Sequence, residues 1–368
     1  MRVMFAITKG EVGGAQTHLR ILAQGLMDDG HQVAVVVEAA SALAADIDRL
    51  GGEVVAWPSI RRAPSPRADL AARRELKAAV ERWRPDVLHL HSSKAGVLGT
   101  GLLAPPRGVT IFTCHHAPFG PGRQWSHRVI ARPVDQLVLA RLDGIVSVGV
   151  RDVPRLRRIA PRVPIEVIRN AVPAPSDPPA RRPLRPAALW VARLAQPKDP
   201  VTAVLGWQEV ARVLPGATLS VCGAGPLRTR LDRVVRDGPA GSVDVVGFAD
   251  DLGPRYAAAS LFLLVSRVEG GLTMATLEAM ANGLVPVASD VGDAPLLEEL
   301  GLGVCVPDRS PRAVAAAVLD LLGDEVRFDR LRDNAVRYAT EERTPALMVG
   351  ETVAFYAAVR EGAGLRAA

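Results

Sequence analysis

Two acidic residues flank a glycine pair in the stretch Ser266–Asp290, which reads SRVEGGLTMATLEAMANGLVPVASD. Glu269 stands directly before Gly270 and Gly271, and Glu278 follows within a run whose Leu277, Met280 and Ala281 recur at helical spacing. Adjacent glycines let a backbone turn and approach a ligand with no Cβ in the way. Carboxylates on either side of such a turn suit a polyhydroxylated ligand. A second constellation lies upstream in VARLAQPKD, where Arg193 and Lys198 are five positions apart after an apolar strand-like run. Arginine offers a planar fork and lysine a point charge, and together they suit a diphosphate.

Both constellations follow apolar runs that read as buried parallel strands, Ala188–Ala192 and Leu261–Val265. In open α/β sheets such loops form the carboxyl edge, where ligands bind. The same rhythm runs along the whole chain. Strand-like segments at Val3–Thr8, Val33–Val37, Glu53–Trp57, Val87–His91, Val109–Thr113 and Gly144–Val148 alternate with helical stretches such as Asp69–Trp83. A proline-dense segment, 173–187, reads as a linker. Strands then resume at Ala188, Thr218, Val243, Leu261, Val285 and Gly303. Alternating strands and helices predict parallel sheets, here two Rossmann-like domains spanning 1–172 and 188–345, followed by a terminal amphipathic helix in 346–368.

The opening βα turn carries a second glycine pair, Gly13 and Gly14, at a helix start. A helix N-terminus can receive an anion or a sugar, but this pair lacks the GxGxxG of a dinucleotide site and by itself reads first as a plain tight turn. His89 and His91 alternate with leucines, so they share one strand face; with no third ligand nearby in sequence they read as structural or acceptor-side groups. Asp46-Ile47-Asp48 falls in an alanine-rich helical stretch and reads as solvated surface.

The chain has 368 residues, 48% hydrophobic and 23% charged, an ordinary globular composition. Its charge is uneven. Residues 1–172 hold 24 Lys and Arg against 15 Asp and Glu, net +9, and the remainder holds 21 against 24, net −3. Such asymmetry points to different ligands for the two halves, with an anionic partner for the first. The basic, partly apolar run 123–132 reads as an exposed helix or as a rest on an anionic membrane surface. No recognition motif supports nucleic acid as the partner. Cys114, Cys222 and Cys305 lie in apolar runs without CxxC spacing, as buried thiols of a reducing compartment do. No apolar run approaches the roughly 20 residues of a spanning helix, and the apolar start is too short for a signal peptide, so a cytoplasmic protein with peripheral membrane contact is expected.

The motifs in order resemble the retaining glycosyltransferases of family 4, with the two-domain GT-B fold. Matching pieces are GGAQ at Gly13–Gln16, HLHSSKAG at His89–Gly96, TCHH at Thr113–His116, EVIRNAV at Glu166–Val172, VARLAQPKD at Val191–Asp199, VCGAGPL at Val221–Leu227, VVGFADD at Val245–Asp251, and the Ser266–Asp290 stretch. The resemblance implies transfer of a sugar, with retention, from a nucleotide donor, most simply UDP-linked. It implies that Arg193 and Lys198 bind the pyrophosphate and that Glu278 holds the ribose hydroxyls. It implies that Glu269 faces the donor sugar, with Gly270, Gly271, Leu272 and Thr273 lining it. Val246, Gly247 and Phe248 would meet the nucleobase, and Gly13 and Gly14 would close on the donor. His115 would stand at the reacting centre, with His116, Lys94 and Arg123 on the acceptor side; which of His115 and His116 faces the sugar stays open. With Arg193 and Lys198 supplying positive charge, no metal or other cofactor is expected. Glu269 and Glu278 are nine positions apart where the family has eight, an extra residue in the turn. A GT-B epimerase or hydrolase, which needs no acceptor, is the enzymatic alternative, and a basic nucleic-acid or membrane-binding module is the alternative of another class.

Overall fold

The computed structural model describes residues 1–61, 63–103, 108–116, 136, 138–177, 179–181 and 183–367. The chain divides into two compact units, one formed by Met1–Asn170 with Pro345–Ala368 and the other by Ala171–Thr344.

The first unit is built on a seven-stranded sheet: β1 (Arg2–Ile7), β2 (Gln32–Val37), β3 (Glu53–Ala56), β4 (Val87–His91), β5 (Val109–Cys114), β6 (Gly144–Ser147) and β7 (Ile165–Val167). Every pairing is parallel and the order is β3-β2-β1-β4-β5-β6-β7. β4, β5 and β6 are buried along their whole length, as parallel strands covered on both faces must be. The strand β7 lies beyond those read from the sequence. It is three residues long, follows Pro164 and pairs on one side only, so it has no apolar run to announce it.

The helix Gly14–Asp28 buries Leu19, Leu22, Ala23 and Leu26, and the same face buries His18, at helical spacing from Leu22. The C-terminal helix, Pro345–Ala367, belongs to this unit and contacts both Gly14–Asp28 and β5. Its Tyr356 is fully buried, and the Tyr356 hydroxyl lies 2.5 Å from His89 Nδ1, while His89 Nε2 lies 2.7 Å from Thr113 Oγ1. Tyr356→Phe leaves a buried imidazole nitrogen without its partner, which costs about 1–3 kcal/mol. A fall of that size in the urea-unfolding free energy is expected, and an unchanged midpoint would show that the bond contributes nothing.

The second unit has a six-stranded parallel sheet: β8 (Ala187–Val191), β9 (Thr218–Cys222), β10 (Val243–Gly247), β11 (Leu261–Leu264), β12 (Val285–Ser289) and β13 (Val304–Val306). The order is β10-β9-β8-β11-β12-β13. Trp190 and Trp207 are buried in its core with Leu219, Leu261, Leu263 and Val287. Both sheets reverse their winding beside their first strand, between β1 and β4 and between β8 and β11. At such a switch point the loops leave in opposite directions and open a crevice at the carboxyl edge. Among the described residues no helix is long and apolar enough to cross a membrane.

Candidate active site

In the second unit the loops after β8 and β11 meet at the switch point. They are stitched by an antiparallel bridge between Lys198 and Ser266, by Asp199 N–H donating to Val265 O at 3.0 Å, and by Arg267 N–H donating to Pro197 O at 3.0 Å. This brings Lys198 to Glu269, and the ammonium donates to Glu269 Oε1 in a largely buried ion pair. Gly270, Gly271 and Leu272 are buried behind it. The turn closes against the loop after β12, where a Cβ on Gly292 would lie 2.7 Å from Gly270 O. Arg193 is exposed on the same edge, and its guanidinium makes no hydrogen bond or ion pair with any described residue.

The helix Met274–Ala281 leaves the turn with Thr273 as its N-cap, Oγ1 accepting from Thr276 N–H at 3.2 Å. Thr273, expected to line the donor, therefore uses its hydroxyl on the cap and on Thr276 Oγ1, 2.8 Å away. Glu278 lies within this helix and is half-buried. Tyr256 donates to Glu278 Oε2 at 3.2 Å, and burial followed by the Glu278 charge raises the Tyr256 hydroxyl well above its usual range, so Tyr256 stays a donor. Tyr256 carried no motif in the sequence; its signal was one aromatic in a short alanine-flanked run.

The loop Gly223-Ala224-Gly225 after β9 was also missed as part of the site. Gly223 and Gly225 adopt φ of +149° and +154°, and a Cβ would stand 1.8 Å from Ala192 O and 2.5 Å from Leu194 O. Leu194 N–H donates to Ala224 O at 2.9 Å and Leu227 N–H to Leu194 O at 2.8 Å. Only glycine permits this approach, and it fixes the backbone on both sides of Arg193. Val246 and Gly247 end β10, and Phe248 just beyond is 58% exposed, an apolar face at the edge that a base could stack on.

In the first unit the carboxyl edge gathers histidines. His91 ends β4, His115 follows β5 and His18 rises from the first helix. His91 Nδ1 lies 3.1 Å from His115 Nε2, and His18 Nδ1 lies 3.0 Å from Asn170 Oδ1. Ring centroids of His18 and His115 are 5.1 Å apart and edge-on, and those of His89 and His91 are 4.3 Å apart. Burial lowers all four pKa values, His18 to about 4 and His89, His91 and His115 well below the usual 6.5, so the cluster is neutral at pH 7. Among the described residues no three His, Cys, Asp or Glu are placed to hold a metal ion.

The remaining predicted residues are placed as follows. His115 is half-buried in the cluster and His116 is exposed beside it. Gly13 caps the first helix with an extended backbone, and Gly14 opens it. Lys94, expected on the acceptor side, is engaged within its own unit: its ammonium pairs with Asp69 at 2.6 Å and donates to the carbonyls of Arg61 and Ala63 at 2.6 and 2.7 Å. These contacts make it a clamp on the loop before Pro66. Asp46, the first acid of the DxD, pairs with Arg49 at 2.9 Å on its own helix. Arg123 and the rest of 123–132 lie outside the described residues.

Two parallel sheets of Rossmann type, each with polar groups at its switch point, define a GT-B architecture. The model of the glycosyl transferase 4-like domain matches residues 13–171 and that of glycosyl transferases group 1 matches 185–324, so that together they span most of the chain. The chain belongs to the family-4 glycosyltransferases, as a hexosyltransferase-type enzyme. It is 28% identical over 341 residues to the phosphatidyl-myo-inositol mannosyltransferase of Mycobacterium tuberculosis, covering 88% of this chain and 86% of that one. It is 27% identical over 281 residues to an exopolysaccharide phosphotransferase of Streptomyces coelicolor, a match that takes in 73% of this chain and 28% of the relative's length. Among solved structures, the Anabaena protein HepE in complex with UDP-glucose superposes with a TM-score of 0.79 at 17% identity, over 97% of this chain and all of that one.

Proposed function

We propose that this glycosyltransferase moves a sugar from a nucleoside diphosphate, UDP-linked, to an acceptor hydroxyl with retention of configuration and without a divalent ion. One observation carries the donor assignment: an unengaged Arg193 and the Lys198–Glu269 pair share the switch-point edge with a buried glycine turn. A glycosyl diphosphate reacts through an oxocarbenium-like state while negative charge grows on the departing phosphate. Fixed cations and turn N–H groups aimed at that phosphate stabilise the growing charge with no reorganisation at the moment of reaction. Glu278, steadied by Tyr256, is suited to accept from ribose hydroxyls, and Phe248 to stack on the base. UDP-glucose bound to a protein of the same fold supports the uridine donor. The net +9 of residues 1–172, with a relative that acts on phosphatidyl-myo-inositol, supports an anionic acceptor. A lipid-linked acceptor would bring the protein to a membrane surface.

Arg193→Ala is expected to lower kcat/KM by about 10–100-fold, the worth of one charged hydrogen bond to the diphosphate. Full activity in this variant would remove the phosphate assignment. Calorimetry with UDP and GDP identifies the nucleotide, and tight binding of either rejects a binding module without enzymatic activity. Sugar release that depends on an added acceptor separates the transferase from an epimerase or hydrolase, and turnover in excess EDTA tests metal independence. Soluble phosphorylated acceptors assayed against the same headgroups in vesicles separate the two acceptor sources.

A further inference from the structure

The His91–His115 contact has only two arrangements, because both rings are neutral and one proton must lie between them. If His115 Nε2–H donates, His91 must carry its own proton on Nε2. That atom is buried and has no hydrogen-bond partner, so a bare N–H donor would be left inside the protein. Orphaned buried N–H groups are rare and unused acceptor lone pairs less so. If His91 Nδ1–H donates instead, the buried Nε2 is an unprotonated acceptor and His115 carries its proton on Nδ1.

The surroundings hold both rings in place. Phe5 packs on His91 at 5.5 Å between centroids, and His89 stacks at 4.3 Å. His18 meets His115 edge-on at an interplanar angle of 85°. The Asn170 carboxamide oxygen can only accept, so His18 carries its proton on Nδ1 and does not compete for the His91–His115 bond. His115 Nδ1 is left without a partner among the described residues on the only half-buried ring of the four.

We propose that His91 is a positioning residue that fixes His115 as its Nδ1–H tautomer, so that His115 meets a substrate oxygen as a hydrogen-bond donor and not as a base. The substrate-facing part rests on the glycosyl-transfer assignment above, and the tautomer does not. No proton is transferred: His115 donates a hydrogen bond to a sugar or acceptor oxygen and keeps its proton.

Long-range nitrogen–proton correlation spectra of the full chain, labelled with 15N-histidine at pH 7.5 and assigned with His115→Asn, read the tautomer directly. Protonated Nδ1 and bare Nε2 on both His91 and His115 are expected; a protonated Nε2 on His115 overturns the proposal even if transfer is observed. In kinetics, His91→Phe removes the donor and His91→Asn restores an N–H near the position of Nδ1. The Phe variant should lose about 10–100-fold in kcat with nearly unchanged UDP affinity, and the Asn variant should stay within about threefold of the parent. Equal activity in the two variants would also overturn it. If His91→Phe fails to fold, the parent spectrum decides alone. If no nucleotide sugar is turned over, the glycosyl-transfer assignment falls while the spectrum still judges the tautomer.

Discussion

Lys198→Ala is expected to lower kcat by about 10²–10³-fold, a larger loss than Arg193→Ala, because two effects act together. The variant removes a cation from the edge proposed to hold the diphosphate. It also releases Glu269, whose side chain is only 12% exposed and pairs with Lys198. An uncompensated carboxylate beside a diphosphate repels it. The backbone should hold, since Lys198 N–H still donates to Ala195 O and the bridge to Ser266 is a backbone contact. Adding Glu269→Gln to Lys198→Ala removes the repulsion and should recover part of the lost activity. Steady-state kinetics of the parent, both single variants and the double variant test this. A double variant no better than Lys198→Ala would show that Glu269 acts on the substrate and not only through Lys198.

Acid is expected to weaken the first unit well before its carboxylates titrate. His18 is buried and its pKa falls to about 4, chiefly through burial and against the Asn170 hydrogen bond. An unfolded histidine titrates near 6.5, so between these values the unfolded chain binds the extra proton. The associated stability is fully present above pH 6.5 and is lost as pH falls towards 4. From His18 alone the loss amounts to about 2 kcal/mol by pH 5. His89 and His91, lowered in the same direction by burial and by neighbouring histidines, add to it. Urea unfolding at pH 7.5, 6.0 and 5.0 reads the slope, and a stability flat from pH 7.5 to 5.0 would show that the histidines are not held neutral.

Much of the second unit's edge was legible because its chemistry is contiguous. Ser266–Asp290 carries strand, glycine turn, helix and strand in one run, and VARLAQPKD places both cations in one loop. The Lys198–Glu269 pairing joins residues 71 positions apart and needed the parallel order of β8 and β11 to appear. The histidine cluster was half legible. His89 and His91 share a face through the twofold period of a strand. His18 was hidden among apolar residues at the same helical spacing, where its burial looked like that of any core position. Lys94 shows the opposite case: its charge was legible, but its partners Asp69 and two carbonyls from a distant loop were not. Charge can be read from a sequence, but the acceptors that spend it come from the fold.

The interlock of Gly223 and Gly225 with Ala192 and Leu194 sets a rule for inheritance and for engineering. The two loops share one backbone surface, so neither can change length or acquire a side chain there unless the other moves with it. A donor preference transplanted from a relative would have to bring residues 192–199 and 223–227 as one block. Phe248, on the neighbouring strand end and exposed, can be exchanged by itself. On the proposed donor reading, base selectivity would be the evolvable variable of this edge and the grip on phosphate its fixed part.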